Sequence, residues 1–106
     1  MSTYLIQANY VGDGIKGLLK EGGTSRRAAA EKAVTSLGGS LVAFYYAFGD
    51  YDAILIADAP DNISMAALAL TINASGVVSV KTTVLMTPEE VDQAVKKAPS
   101  YRPPGQ

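Results

Sequence analysis

Residues 44–56 read FYYAFGDYDAILI, and this stretch decides how the chain folds. Aromatic and β-branched residues stand on both sides of Gly49-Asp50, and a two-residue Gly-X connection between two such runs is typical of a type II′ β-hairpin. The stretch therefore predicts antiparallel strands over residues 41–48 and 51–58. The predicted register makes three cross-strand pairs on one face: Phe48 with Tyr51, Tyr46 with Ala53, and Phe44 with Leu55.

The other face of this hairpin is also largely apolar. It carries four residues of the first strand opposite four of the second: Leu41, Ala43, Tyr45 and Ala47 opposite Asp58, Ile56, Ile54 and Asp52. A sheet with helices on one side only normally has a polar outer face. We therefore expect something other than the chain's own helices to cover the second face. The sequence leaves open which face meets the helices.

The first half of the chain contains one further strand and one clear helix. Residues 3–11 alternate in a period of two and predict the first strand. Residues 12–23 hold five glycines and predict a loop with about one helical turn. A helix is predicted over 25–37, capped by Thr24 or Ser25 and stopped by Gly38-Gly39. Its packing stripe is Ala29, Ala30, Ala33, Val34 and Leu37.

The second half contains a helix, a strand and a shorter helix. Asp61 is placed to cap a helix over 62–75, whose packing side carries Ile63, Ala66, Ala67, Leu70 and Ala74. Residues 77–86 predict a fourth strand. Thr87, Pro88 and Glu90 form the pattern of a capping box that opens a short helix ending near residue 97.

The resulting order is an α+β, ferredoxin-like βαββαβ fold with a short extra C-terminal helix. Right-handed crossovers place strands one and three in the centre of a four-stranded antiparallel sheet, with both long helices on one face. We expect a single domain over residues 1–98 and a flexible, proline-rich tail over 99–106.

The composition narrows the possible chemistry. The 106 residues include no cysteine and no histidine, so thiolate chemistry, disulfides and the commonest general base and metal ligand are absent. Nine basic and ten acidic residues are scattered, and without a basic stripe nucleic-acid binding is not expected. No stretch resembles a signal peptide or a membrane span, which predicts a soluble, cytoplasmic protein without membrane contact. No cofactor or metal ion is predicted.

Residues 12–17 match the dinucleotide-binding pattern G-x-G-x-x-G directly after a strand. The context is wrong, because no long helix opens at the third glycine and the next strands form a hairpin. We interpret the segment as a flexible loop. Arg26 and Arg27 open the first helix, where they either hold an anion near its N-terminus or remain as solvated charges.

The sequence resembles the GYD-domain proteins of the dimeric α/β-barrel superfamily. The similar parts span residues 3–95 and include the name-giving Gly49, Tyr51 and Asp52; they are TYLIQANYV, LGGSLVAFYYAFGDYDAILIADAPD and VSVKTTVL. The resemblance implies a homodimer, with a higher homo-oligomer as an alternative, whose sheets pack face to face into a barrel. Relatives in the superfamily include haem-degrading monooxygenases, cofactor-free cyclases and isomerases, and effector-binding domains. Many of these enzymes use a histidine that this chain lacks.

Asp52 is the main candidate site residue, because a carboxylate on a mostly buried face requires a partner. It either fixes the hairpin through hydrogen bonds or acts as a general base or ligand anchor. Tyr45 shares its face and is the candidate acid. The candidate ligand-binding residues are Gln7, Asn9, Tyr51, Lys81 and Thr83, with Lys81 a possible ion-pair partner of Asp52 or a solvated strand-end lysine.

Three functions are compatible with these residues. The first is a small homodimeric protein that binds a small organic ligand, either between sheet and helices or inside the barrel. The second is a cofactor-free isomerase or cyclase that uses Asp52 as base and a tyrosine as acid. The third is a structural or interaction subunit without a pocket. The sequence does not decide whether the protein is an enzyme.

Overall fold

A computed structural model describes all 106 residues and confirms the α+β, ferredoxin-like architecture. The elements are β1 (Ser2–Tyr10), α1 (Gly14–Glu21), α2 (Gly23–Ser36), β2 (Ser40–Tyr46), β3 (Ala53–Ala59), α3 (Asn62–Ala74), β4 (Val78–Leu85) and α4 (Pro88–Val95). The strands form one antiparallel sheet in the order β2-β3-β1-β4, with strands one and three in the centre as predicted. None of the helices combines the length and hydrophobicity needed to cross a membrane.

The core lies between one face of the sheet and helices α2 and α3. Every second residue of β3 is buried, from Ala53 to Ala59, and small side chains there let the helices approach closely. Tyr4 is the largest fully buried side chain, and its hydroxyl donates a hydrogen bond to the side-chain oxygen of Asn62 in α3. The buried helix residues packed here are Val34, Met65 and Leu68.

The opposite side of the sheet, here called the open face, has no helix packed on it. The buried residues of α2 and α3 all belong to the core on the other side, and no open-face residue is buried. This settles which face of the sheet meets the helices. The open face consists of Thr3, Leu5, Gln7, Asn9, Ser40, Ala43, Tyr45, Ile54, Ile56, Asp58, Ser79, Lys81, Thr83 and Leu85.

The predicted hairpin turn is wrong, although most of its register is right. Tyr46 pairs with Ala53 and Phe44 with Leu55, as predicted. The Ala47 N–H donates to the Asp52 carbonyl at 2.8 Å, so the connection spans residues 48–51 and the predicted pairing of Phe48 with Tyr51 is absent. Gly49 does not have the positive φ that a type II′ turn requires at its first central position.

A second difference in the hairpin lies at its far end. The register shifts between Leu41 and Ala43, so Leu41 lies opposite Ala57 and not Asp58. An extra residue in one strand of a pair produces such a β-bulge, and alternation alone does not reveal it.

Residues 14–21 form a helix of eight residues, whereas the five glycines of residues 12–23 had predicted a loop with about one helical turn. The helical spacing of Ile15, Leu18 and Leu19 outweighs the cost of Gly17, and Gly22, with a φ of 84°, separates α1 from α2. Helix α2 consequently begins at Gly23, and neither Thr24 nor Ser25 caps it. Its predicted end is confirmed, since Gly38 follows with a φ of 81°.

Helix α3 is capped by Asp61 as predicted, but it buries a different side. Met65 and Leu68 are buried, whereas Ile63 is 82% and Leu70 71% exposed. The predicted packing side is therefore wrong. Because α3 is apolar almost all round, its periodicity does not distinguish one face from another.

The last 21 residues, here called the C-terminal arm (residues 86–106), extend away from the domain. The predicted capping box forms: the Thr87 hydroxyl accepts from the Glu90 N–H, and the Glu90 carboxylate accepts from the Thr87 N–H. Every residue of the arm is exposed. The radius of gyration is 16.9 Å, whereas a compact chain of this length has about 13 Å. The helix α4 is thus stabilised locally and not by packing.

Candidate functional site

A cavity of about 130 Å³ lies between the sheet and helices α2 and α3, and we call it the α-side cavity. Alanines of α2 face alanines of the sheet here, and their short side chains leave the space between the layers unfilled. All but one of the lining residues are hydrophobic. The lining is Ile6, Ala8, Tyr10, Arg26, Ala29, Ala30, Ala33, Val34, Phe44, Ala53, Leu55, Leu68, Ile72, Val78 and Val80.

The polar groups of the cavity gather at one end, where α2 begins. Arg26 is the only charged lining residue, its side chain is 32% exposed, and its guanidinium lies 3.8 Å from the carboxylate of Glu21. The Tyr46 hydroxyl donates to the Gly23 carbonyl at 2.9 Å. A Cβ on Gly23 would lie 3.0 Å from the Tyr46 ring, so the glycine permits this close approach. Tyr10 and Arg26 are the polar residues that line this end, here called the mouth of the cavity, and Tyr46 lies beside both of them.

Tyr46 is a neutral group at physiological pH. Burial is the main cause that raises the pKa of Tyr46 to about 12, and the neighbouring Tyr10 hydroxyl adds to the effect. The positive charge of Arg26 acts in the opposite direction and is the weaker influence. The mouth therefore has the positive charge of Arg26, with the Glu21 carboxylate 3.8 Å away, beside the uncharged Tyr46 hydroxyl.

Asp52 directly precedes β3, and its carboxylate accepts a hydrogen bond from the backbone. One carboxylate oxygen accepts a hydrogen bond from the Tyr10 N–H at 2.8 Å, and the Asp52 N–H donates to the Ala8 carbonyl at 2.9 Å. These bonds continue the pairing of β3 with β1 beyond the last ladder pair. Asp52 forms no ion pair with Lys81.

The other predicted site residues lie on the open face, or beside it in the case of Tyr51, and not in the α-side cavity. One row across the sheet reads Tyr45, Ile54, Gln7, Lys81. The ammonium of Lys81 lies 5.9 Å from the centroid of the Tyr51 ring, so the structure brings Gln7, Lys81 and Tyr51 together. Asn9 and Thr83 flank this row, opposite Ser79 and Leu5 respectively.

A second, wider cleft lies beneath α1, with a volume of about 320 Å³. Asp52 and Tyr46 contribute to its wall, but most of the lining is apolar and includes the strongly exposed Leu19 and Phe48. No group of three or more acidic side chains is placed to hold a metal ion anywhere in the chain. The α-side cavity is the better candidate site, because it lies inside the fold and has one polar end.

Two residues of the mouth were not among the predicted site residues. Tyr10 ends β1 on the helix-covered face, and Arg26 lies in the first turn of α2. The sequence did single out Arg26 for its position at a helix start, but nothing in it shows that this side chain borders a cavity. Whether Arg26 borders the cavity depends on the angle at which α2 crosses the sheet, and the sequence does not show this angle.

The chain is thus a small ferredoxin-like α+β protein with an apolar cavity between its layers. The family model described as GYD domain matches residues 4–95, which is most of the chain, and the chain belongs to this family. Neither the curated proteins nor the solved structures include a match to it.

Proposed function

We propose that this protein is a small homodimer that binds a small organic ligand in the α-side cavity. The observation that supports this is an apolar cavity with polar groups at one end, the usual form of a small-molecule site. Its volume of about 130 Å³ is small for such a site. An engineered protein cavity of about 150 Å³ accepts benzene, so we expect a ligand whose buried part is about one ring in size.

Occupation of the cavity can be tested with toluene as a neutral probe. We expect toluene to raise the melting temperature and to shift the methyl resonances of lining residues. Ala33→Leu fills the cavity and should abolish these effects, whereas Ala28→Leu adds the same side chain to an exposed position of α2 and should preserve them. Equal toluene binding by the folded Ala33→Leu variant would place the ligand elsewhere.

Two surfaces support the proposed homodimer, namely the open face of the sheet and the C-terminal arm. Strands spaced about 4.8 Å apart and up to nine residues long give the open face roughly 500 Å². A standard interface takes about 800 Å² from each partner. The exposed arm, with Val91 and Val95 on its helix, offers additional area. Packing of two open faces with exchange of the arms would give the dimeric barrel that the family resemblance implies.

Native mass spectrometry tests this part of the proposal directly. We expect a species of twice the 11.0 kDa chain mass at micromolar protein concentration. A higher homo-oligomer would indicate that a second surface also associates, and the exposed stripe of α3 around Ile63 and Leu70 is one such surface. A monomer under these conditions would refute the proposed dimer.

Within this proposal Asp52 has a structural role and the open-face residues contact the second copy. The backbone hydrogen bond of the Asp52 carboxylate supports this role over that of a general base. Gln7, Asn9, Tyr45, Tyr51, Lys81 and Thr83 would then form the polar part of the subunit interface.

A further inference from the structure

We propose that the ligand of the α-side cavity is a carboxylate whose apolar part enters the cavity and whose anionic group binds Arg26. This inference rests on the proposed ligand-binding function and specifies the class of ligand. The observation that supports it is the position of the Arg26 guanidinium at the mouth of an otherwise apolar cavity.

The guanidinium of Arg26 is only loosely engaged within the chain. Its one ionic partner, Glu21, lies 3.8 Å away with a side chain that is 44% exposed. Charge-assisted N–H···O hydrogen bonds are about 2.7–2.9 Å long, so this contact leaves the donors of Arg26 largely unused. A guanidinium has five N–H donors in a planar fork that matches the two oxygens of a carboxylate.

The acidic partner of Arg26, Glu21, lies outside the cavity lining, and an anionic ligand would take its place at the guanidinium. The lining contains no acidic residue, and the first turn of α2 contains none either. The Tyr46 hydroxyl beside Arg26 is uncharged, and the Gly23 carbonyl holds it in place. A cation would face the charge of Arg26 at the mouth, whereas a neutral ligand would leave the guanidinium without a new partner.

Size and charge together favour a carboxylate over a larger anion. The cavity admits about one ring, and a single arginine offers one bidentate contact, which suits a monovalent planar group. A phosphate dianion is commonly held by clusters of basic residues or several backbone N–H groups, and the mouth has one basic side chain. We therefore expect a monocyclic or short branched carboxylic acid.

The test compares phenylacetate with phenylacetamide, which has a similar shape but no charge. Isothermal titration and chemical-shift mapping of the full chain would give both affinities and the binding location. We expect phenylacetate to bind about tenfold more tightly than phenylacetamide. Arg26→Gln should bring the two affinities together. Arg27→Gln removes the same charge from the neighbouring exposed position and should leave the tenfold preference.

The possible results separate the inference from the function on which it rests. Equal binding of the two probes to the wild type, unchanged in Arg26→Gln, would overturn the carboxylate assignment and leave the cavity as a ligand site. Equal loss of the preference in Arg27→Gln would also overturn it, because the effect would then be one of net charge. If neither probe nor toluene binds the wild type, the ligand-binding function fails together with the inference.

Discussion

Both faces of the sheet carry large apolar residues, but only one face is covered by helices. On the helix-covered face, Leu55 packs under α2 and α3 with its alanine neighbours. On the open face, Ile54 and Ile56 lie one residue away in the same strand and are only half-buried. The comparison shows that the hydrophobicity of a strand position does not by itself decide whether the chain's own helices cover it.

The largest expected effect comes from truncating adjacent residues on the two faces. Leu55→Ala should lower the free energy of unfolding by about 3 kcal/mol at every protein concentration, because it leaves a cavity in the chain's own core. Ile54→Ala should lower stability by an amount that depends on concentration, because the proposed dimer would cover Ile54 with the second copy. Urea unfolding at two well-separated concentrations measures both. A concentration-independent loss for Ile54→Ala would contradict the dimer.

A buried charge on the open face should separate the proposed dimer without unfolding the chain. Ile56→Glu places a carboxylate in the middle of this face, where pairing with a second copy would leave it without a counter-charge. We expect a monomer by native mass spectrometry and an unchanged circular dichroism spectrum. Ile63→Glu on the outer side of α3 is the control and should leave a dimer intact. A dimeric Ile56→Glu variant would place the interface elsewhere.

A smaller effect is expected at Asp52, which joins the two central strands at their ends. Asp52→Ala leaves the Tyr10 N–H without its acceptor and should lower stability by about 1 kcal/mol. Asp52→Asn keeps an acceptor oxygen and should lose less. Hydrogen exchange of the Tyr10 amide should accelerate in the same order. If that exchange is unaffected while ligand turnover is lost in both variants, Asp52 acts as a base.

An effect that appears only at alkaline pH concerns the adjacent Tyr46 and Tyr45, which lie on opposite faces of the sheet. The pKa of Tyr46 is raised to about 12, so the folded state keeps a proton that the unfolded state loses near pH 10. Stability should fall as the pH rises from 10 to 12, and this slope should be reduced in Tyr46→Phe but not in Tyr45→Phe. Chemical denaturation across this range measures the slope. An equal slope in all three proteins would contradict the raised pKa.

Much of the fold follows from local patterns in the sequence. Alternation located the strands, Gly49-Asp50 located the hairpin, and Asp61 and Thr87 located two helix starts. Two of the wrong predictions concern helices α1 and α3. In α1 the glycines predicted a loop while the spacing of the apolar residues predicted a helix. In α3 the segment is apolar on all sides, so its packing side was assigned wrongly. In both cases tertiary packing decides, and a single segment does not contain that information.

The candidate site was less predictable than the fold. Alternation correctly placed Tyr45, Gln7 and Lys81 on one face, but it did not show that α2 and α3 cover the other face. The cavity arises because short side chains on two elements distant in sequence face one another. Arg26 can be recognised as a candidate ligand-binding residue only when the position of the α-side cavity is known.

The exposed arm makes the two ends of the chain unequal for protein engineering. Residue 2 already belongs to β1, which is hydrogen-bonded on both sides, so deletions there remove part of the central sheet. Residues 86–106 contain no buried side chain, and a protein cut after Leu85 should retain its core. A protein shortened in this way would show whether the arm is needed for the proposed dimer and not for folding. A reporter group fused at Gln106 would respond to whatever contacts the arm.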